Sequence, residues 1–218
     1  MFELMLLAGF GAVTLRNLKV RDEEYSMLPK TISDKLGKLW DIAHQGMREN
    51  RFLRAEKALL TILKIDSTNA AAYNRLGILY AKQKEYKDAI DCFEIASSID
   101  PSASSLHNLG LIYYETENYS KAGTAFEHAI KLDDGLAARH IAYAKVQEKL
   151  GNSKLMIQEL QKACELEPTQ ESYTLLKKAY EGLGMLSAAD ETEEKLKKLI
   201  KPSGNNKKRV SRPKRVAI

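Results

Sequence analysis

Cysteine is nearly absent. The two that occur in 218 residues, Cys92 and Cys164, lie far apart and have no paired spacing. That excludes a disulfide framework and a metal knuckle; each reads as a small apolar filler inside a helix, in a protein suited to a reducing compartment. Proline is scarce too. Of five prolines, Pro29, Pro202 and Pro213 lie towards the ends, which leaves Pro101 and Pro168 inside a central region otherwise free of helix breakers. Long apolar runs are also missing. The best is FELMLLAGFGAVTL at 2–15, which already contains Glu3, whereas a membrane span needs about 20 largely apolar residues. It lacks the basic start, polar end and small-residue cleavage site of a secretory signal. Three readings of it stay open: a short or start-truncated membrane anchor, an apolar helix packed on the body, or an interfacial helix. As an anchor, with Arg16, Lys19 and Arg21 behind it, it would leave the rest of the chain on the cytoplasmic side.

Motifs of catalysis are missing as well. There is no HExxH and no glycine loop able to cradle phosphate, the twelve glycines being scattered. Three histidines, His44, His107 and His140, fall in first helices of separate repeat windows, while His128 sits in a second helix beside Ala129. None is spaced as a ligand set, so ordinary surface or groove positions are expected of them. No enzyme activity, metal or cofactor is expected.

Net charge misleads when taken over the whole chain. Residues 201–218 hold seven basic residues and no acid, so they contribute +7 to a total of +5 and leave −2 for the first 200 residues. Any argument for an anionic partner, whether nucleic acid or lipid, therefore belongs to the tail KPSGNNKKRVSRPKRVAI. No aromatic residue interleaves its charges, as stacking on single strands would require.

What the chain does have is repetition. Gly77, Tyr80, Ala89, Phe93 and Ala96 recur as Gly110, Tyr113, Ala122, Phe126 and Ala129, each 33 residues later. Extending the register gives five windows: 36–69, 70–102, 103–136, 137–169 and 170 to about 203. Each contains two runs with apolar residues at steps of three and four, the signature of two amphipathic helices joined by a polar turn. Asp66-Ser67, Asp100-Pro101, Asp133-Asp134 and Glu167-Pro168 mark the helix ends. Glycine and alanine at the recurring small positions predict close helix approach, and Phe93 and Phe126 are expected to fill the space between one hairpin and the next. Pairs too thin to bury their own apolar faces must stack.

Tyr73, Leu76, Gly77, Tyr80, Ala89, Phe93, Ala96 and Pro101 resemble the tetratricopeptide repeat signature, and Leu106, Leu109, Gly110, Tyr113, Ala122, Phe126 and Ala129 match it again. The match weakens outward. The fourth window has Ala144, Gln147 and Met156 where glycine, tyrosine and alanine belong, and the fifth has Lys177 and Glu193 in place of the small and aromatic residues. Glu193, Glu194, Lys195, Lys197 and Lys198 read as a polar outer cap, with Leu196, Leu199 and Ile200 on its inner side. The expected architecture is all-α, a right-handed solenoid of about five antiparallel helix hairpins over residues 36–200, preceded by segment 1–35 and followed by the basic tail 201–218.

The resemblance implies an interaction scaffold whose first helices line a concave inner wall. Transferred by repeat position, the candidate partner-binding residues are Trp40, His44, Asn74, Ile78, Lys82, His107, Leu111, Tyr114, Ile141 and Lys145. Large apolar groups on that wall suit a helical or extended peptide. The basic and asparagine clamp by which some relatives hold acidic chaperone tails is interrupted here by Ile78, Leu111 and Ile141. The expectation is therefore a non-enzymatic scaffold in the cytoplasm, binding a protein or peptide, with tethering to a membrane face and contact with anionic lipid as open readings. The competing reading is a nucleic-acid-associated adaptor that holds its ligand through the tail.

Overall fold

The computed structural model describes residues 30–200. The apolar segment at 2–15 and the tail at 201–218, on which the anchor, lipid and nucleic-acid readings rest, lie outside them. The described residues form ten helices and no strand. They divide into two units, one up to Pro101 and the other from Ser102.

The first unit consists of α1 (Lys30–Arg48), α2 (Phe52–Ile65), α3 (Ala70–Gln83) and α4 (Tyr86–Ile99). The second consists of α5 (Ala103–Glu115), α6 (Tyr119–Leu132), α7 (Ala137–Lys149), α8 (Ser153–Leu166), α9 (Gln170–Gly182) and α10 (Leu186–Ile200). Consecutive helices pair as hairpins, α1 with α2 through α9 with α10, and within a unit successive hairpins pack on one another. Helix α1 opens before the first repeat window.

Local chemistry accounts for the punctuation. Asn69, Ser102 and Thr169 cap α3, α5 and α9 by accepting a bond from the backbone N–H three residues on, and Thr169 forms a reciprocal box with Ser172. Asp66, Asp100, Asp133 and Glu167 leave the second helices in extended conformation. Each first helix ends at a left-handed residue, namely Asn50, Lys84, Glu117, Gly151 and Gly184 in turn. At each corner a later N–H reaches back five residues, as Glu85 N–H does to the Tyr80 carbonyl (2.9 Å) and Met185 N–H to that of Tyr180 (2.9 Å). This closure satisfies carbonyls that the helix end would leave bare.

The recurring glycines and phenylalanines meet inside one hairpin. A Cβ placed on Gly77 would lie 2.7 Å from the Phe93 ring, and one on Gly110 would lie 2.9 Å from that of Phe126. Both rings are buried. Phe93 and Phe126 thus occupy the room left by the glycine of their own hairpin, which corrects the expectation that they fill the space between hairpins. The same paired positions hold Ala43 and Leu59 in the first hairpin and Ala144 and Leu160 in the fourth, where a larger small residue faces a smaller large one.

The fifth hairpin replaces this packing with charge. Lys177 of α9 donates to Glu193 of α10 at 2.9 Å, and Lys197 reaches the same carboxylate at 2.9 Å. Glu193 therefore faces across its hairpin instead of belonging to an outer cap. Leu199 and Ile200, expected on the inner side of α10, are exposed (46% and 54%), since no further helix among the described residues lies against them. The two lysines push the Glu193 carboxyl down from 4.5 to about 2. Its folded value lies below its unfolded one, so the stabilisation is complete above about 4.5 and is lost as pH falls towards 2. Melting temperatures of wild type and Glu193→Gln across that window should converge at the acid end. Parallel curves would show that the pair adds nothing to stability.

Candidate partner-binding surface

In the first unit the candidates come from α1 and α3. Trp40 is half-buried against the core formed around Leu36, Ala43, Leu59 and Leu76, and its ring stacks on that of His44 with centroids 5.6 Å apart. His44 is exposed and shares an open trough with Asp41, Gln45, Met47, Arg48 and Arg75. Two guanidiniums, one from α1 and one from α3, thus line the same trough as His44. Asn74 and Ile78 are half-buried and Lys82 is exposed. Tyr80, one step round α3, donates its hydroxyl to Glu56 of α2 at 2.8 Å, tying the two hairpins together.

In the second unit the candidates come from α5 and α7. Leu111 is exposed (40%), Tyr114 packs edge-on against Tyr119 at 5.5 Å, and Ile141 is half-buried. His107 lies edge-on to the Phe126 ring at 5.3 Å, and its Nδ1 is buried without a partner. Burial, helped by the Arg139 guanidinium, lowers its pKa below the ordinary imidazole value, which favours the neutral ring. Lys145 is exposed beside an apolar crevice between α7, α8 and α9, together with Glu148 and Lys178. Position matching placed Lys145 on the inner wall; it missed Arg75 and Asp41 in the first unit and the apolar floor of the crevice in the second.

His140 is not a surface or groove residue. It is 3% exposed, with Nε2–H donating to the Asp134 carbonyl at 2.9 Å and Nδ1 lying 2.6 Å from Oε2 of Glu159. Beside it the buried Arg139 donates from Nη1 to both Oδ2 (3.0 Å) and the carbonyl of Asp133. Together they lash the α6–α7 connection to α7 and α8. Both ring nitrogens of His140 are engaged, so it has none free to serve as a catalytic base or a metal ligand.

Neither cysteine is an activated nucleophile. Burial, with Asp88 and Asp91 nearby, pushes the Cys92 thiol up to about 11, and burial likewise raises that of Cys164. Among the described residues no histidine, cysteine and carboxylate group is disposed to hold a metal ion, and no helix is long and apolar enough to cross a membrane.

Stacked helix hairpins that present half-buried apolar groups between basic ones on their first helices define a class: a helical-repeat module for binding other proteins. Residues 68–134 and 138–170 match the family described as tetratricopeptide repeat. These stretches are tetratricopeptide repeats, and the general role they support is that of a non-enzymatic protein–protein interaction scaffold. No curated protein sequence matches it. Among solved structures it is similar to a crystal structure of MamA (23% identity, TM-score 0.69, covering 76% of this chain and 92% of that one). It is similar also to MamA residues 41 to the end from Desulfovibrio magneticus RS-1 (17%, TM-score 0.69, covering 76% and 95%). A third is YrrB, described as a TPR protein with an unusual peptide-binding site (20%, TM-score 0.63, covering 72% and 82%). At these identities the likeness is one of fold.

Proposed function

We propose that this protein holds a peptide or an extended segment of a partner protein on its first helices, with Ile78 the principal apolar contact of the first unit and Leu111 and Tyr114 those of the second. The observation that carries this reading is Leu111. Leu111 leaves 40% of its surface exposed on a first helix, and it stands with a half-buried tyrosine on the same helix. His44, Arg48 and Arg75 on the first unit, and Lys145 on the second, add polar contacts that orient a ligand. A structure of the same fold, YrrB, is described as having a peptide-binding site, which is consistent with this use of the scaffold. The test is affinity capture with wild type and with Ile78, Leu111 and Tyr114 all changed to serine. The altered protein should keep its helical circular dichroism and lose the specific partner; equal capture of that partner by both proteins would sink the reading.

Location is proposed with it. A cytoplasmic scaffold tethered through residues 2–15 should be released from membranes when residues 1–21 are removed, and an unchanged distribution would count against the tether. The seven basic residues of the tail favour, as the second reading, a nucleic-acid adaptor. Removing 201–218 should then abolish salt-sensitive binding to nucleic acid.

A further inference from the structure

Four of the five hairpins pair a small residue on the first helix with a large one on the second: Ala43 with Leu59, Gly77 with Phe93, Gly110 with Phe126, and Ala144 with Leu160. The fourth hairpin has a leucine where the second and third have a phenylalanine ring, and Met156 stands where those two carry Ala89 and Ala122. Beside them lies a crevice of about 280 Å³, walled by Ala144, Met156 and Leu160 of the fourth hairpin and by Leu175 and Ala179 of α9 with Leu183 just past its end. A dry apolar cavity of about 150 Å³ admits benzene, so this one has room for an aromatic ring or a leucine.

We propose that this crevice is a socket for one large apolar side chain of the partner segment, and that acidic residues flank that side chain. The inference rests on the peptide-binding reading above. Charge complementarity selects the flanks. Lys145 of α7 and Lys178 of α9 both line the crevice, both are exposed and neither is ion-paired among the described residues, against the single acid Glu148 in the lining. A segment that lays a phenylalanine or leucine into the socket brings its neighbouring residues to these two ammonium groups. Acidic neighbours meet attraction there and basic ones repulsion. Leu183 at the mouth, 42% exposed, loses that exposure when the socket fills.

The probe is a fluorescein-labelled peptide with one phenylalanine between pairs of aspartates, titrated with the full chain at low ionic strength and read by anisotropy. Wild type is expected to bind it at least about ten-fold more tightly than the same peptide with alanine for phenylalanine, since burying a large apolar side chain is worth that much. It should also prefer it to a lysine-flanked version. Leu160→Phe with Ala144 kept, so that the larger ring has no glycine to sit against inside its own hairpin, should push into the socket and remove the preference for phenylalanine. Ala179→Met, filling from the α9 wall, is read in parallel in case the Leu160→Phe variant packs poorly. Lys145→Glu with Lys178→Glu should reverse the preference for acidic flanks. Failure of wild type to bind the aspartate peptide, equal binding of phenylalanine and alanine peptides, or a folded, filled variant that keeps the preference would each overturn the socket. Ile78, Leu111 and Tyr114 do not line it, so those results leave the serine-variant capture experiment standing as a separate test of the first-helix reading.

Discussion

Phe126→Ala is expected to lower the unfolding free energy by about 3–5 kcal/mol, because the ring is fully buried and its removal opens a cavity against Gly110 that a helix crossing cannot close. Gly110→Ala should act from the other side. Its added methyl would sit 2.9 Å from the ring, and overpacking of that kind costs about 1–3 kcal/mol. The decisive measurement is the combination Gly110→Ala with Phe126→Leu, which copies the Ala144 and Leu160 pair. Urea denaturation should show it losing less than Gly110→Ala and Phe126→Leu measured singly and summed, with an interaction energy of about 0.5–3 kcal/mol. Strict additivity would mean that the two positions do not pack as a unit.

Glu159→Ala carries the second large effect, about 3 kcal/mol. It strips Nδ1 of the buried His140 of its partner while Nε2 remains tied to the Asp134 carbonyl, and an orphaned polar group in the interior bears its full desolvation cost. Replacing both residues by leucine should recover much of the loss, whereas Glu159→Gln, which keeps an acceptor, should fall between. Hydrogen exchange localises the effect: amides of residues 133–140, held through this pair and through Arg139, should lose protection before those of α5. Unchanged exchange there would indicate that the connection is held by something other than His140.

Much of the hairpin architecture could be read from the chain because it depends on spacing alone. Steps of three and four gave the helices, Asp66, Asp100, Asp133 and Glu167 marked their ends, and glycine or alanine marked the crossings. Partnership between distant residues was harder to read. Lys177 and Glu193 were each legible as departures from the repeat, yet only the folded hairpin shows that one departure answers the other across 2.9 Å. The histidines sharpen the point. His140 occupies the position filled by Tyr73 and Leu106 in its neighbours, which was itself a signal of burial, but its partner Glu159 comes from the other helix and carries no mark in the linear pattern. The crevice was hidden for a different reason. Ala144 and Met156 read as a weakened repeat, and a crevice walled by residues of three helices has no single position in the linear pattern to announce it.

The paired positions that hold each hairpin shut also restrict how the chain can be recombined. A helix bearing Gly110 accepts the ring of Phe126 or Phe93, one bearing Lys177 asks for a carboxylate, and one bearing Ala144 suits a leucine. Exchanging a first helix between hairpins of different kinds would set a lysine against a phenyl ring or a methyl against a ring with no room for it. The inheritable unit is therefore the whole hairpin. Breakpoints for duplication, deletion or grafting therefore belong at the acidic corners between hairpins, and a cut at a left-handed corner would separate the paired positions.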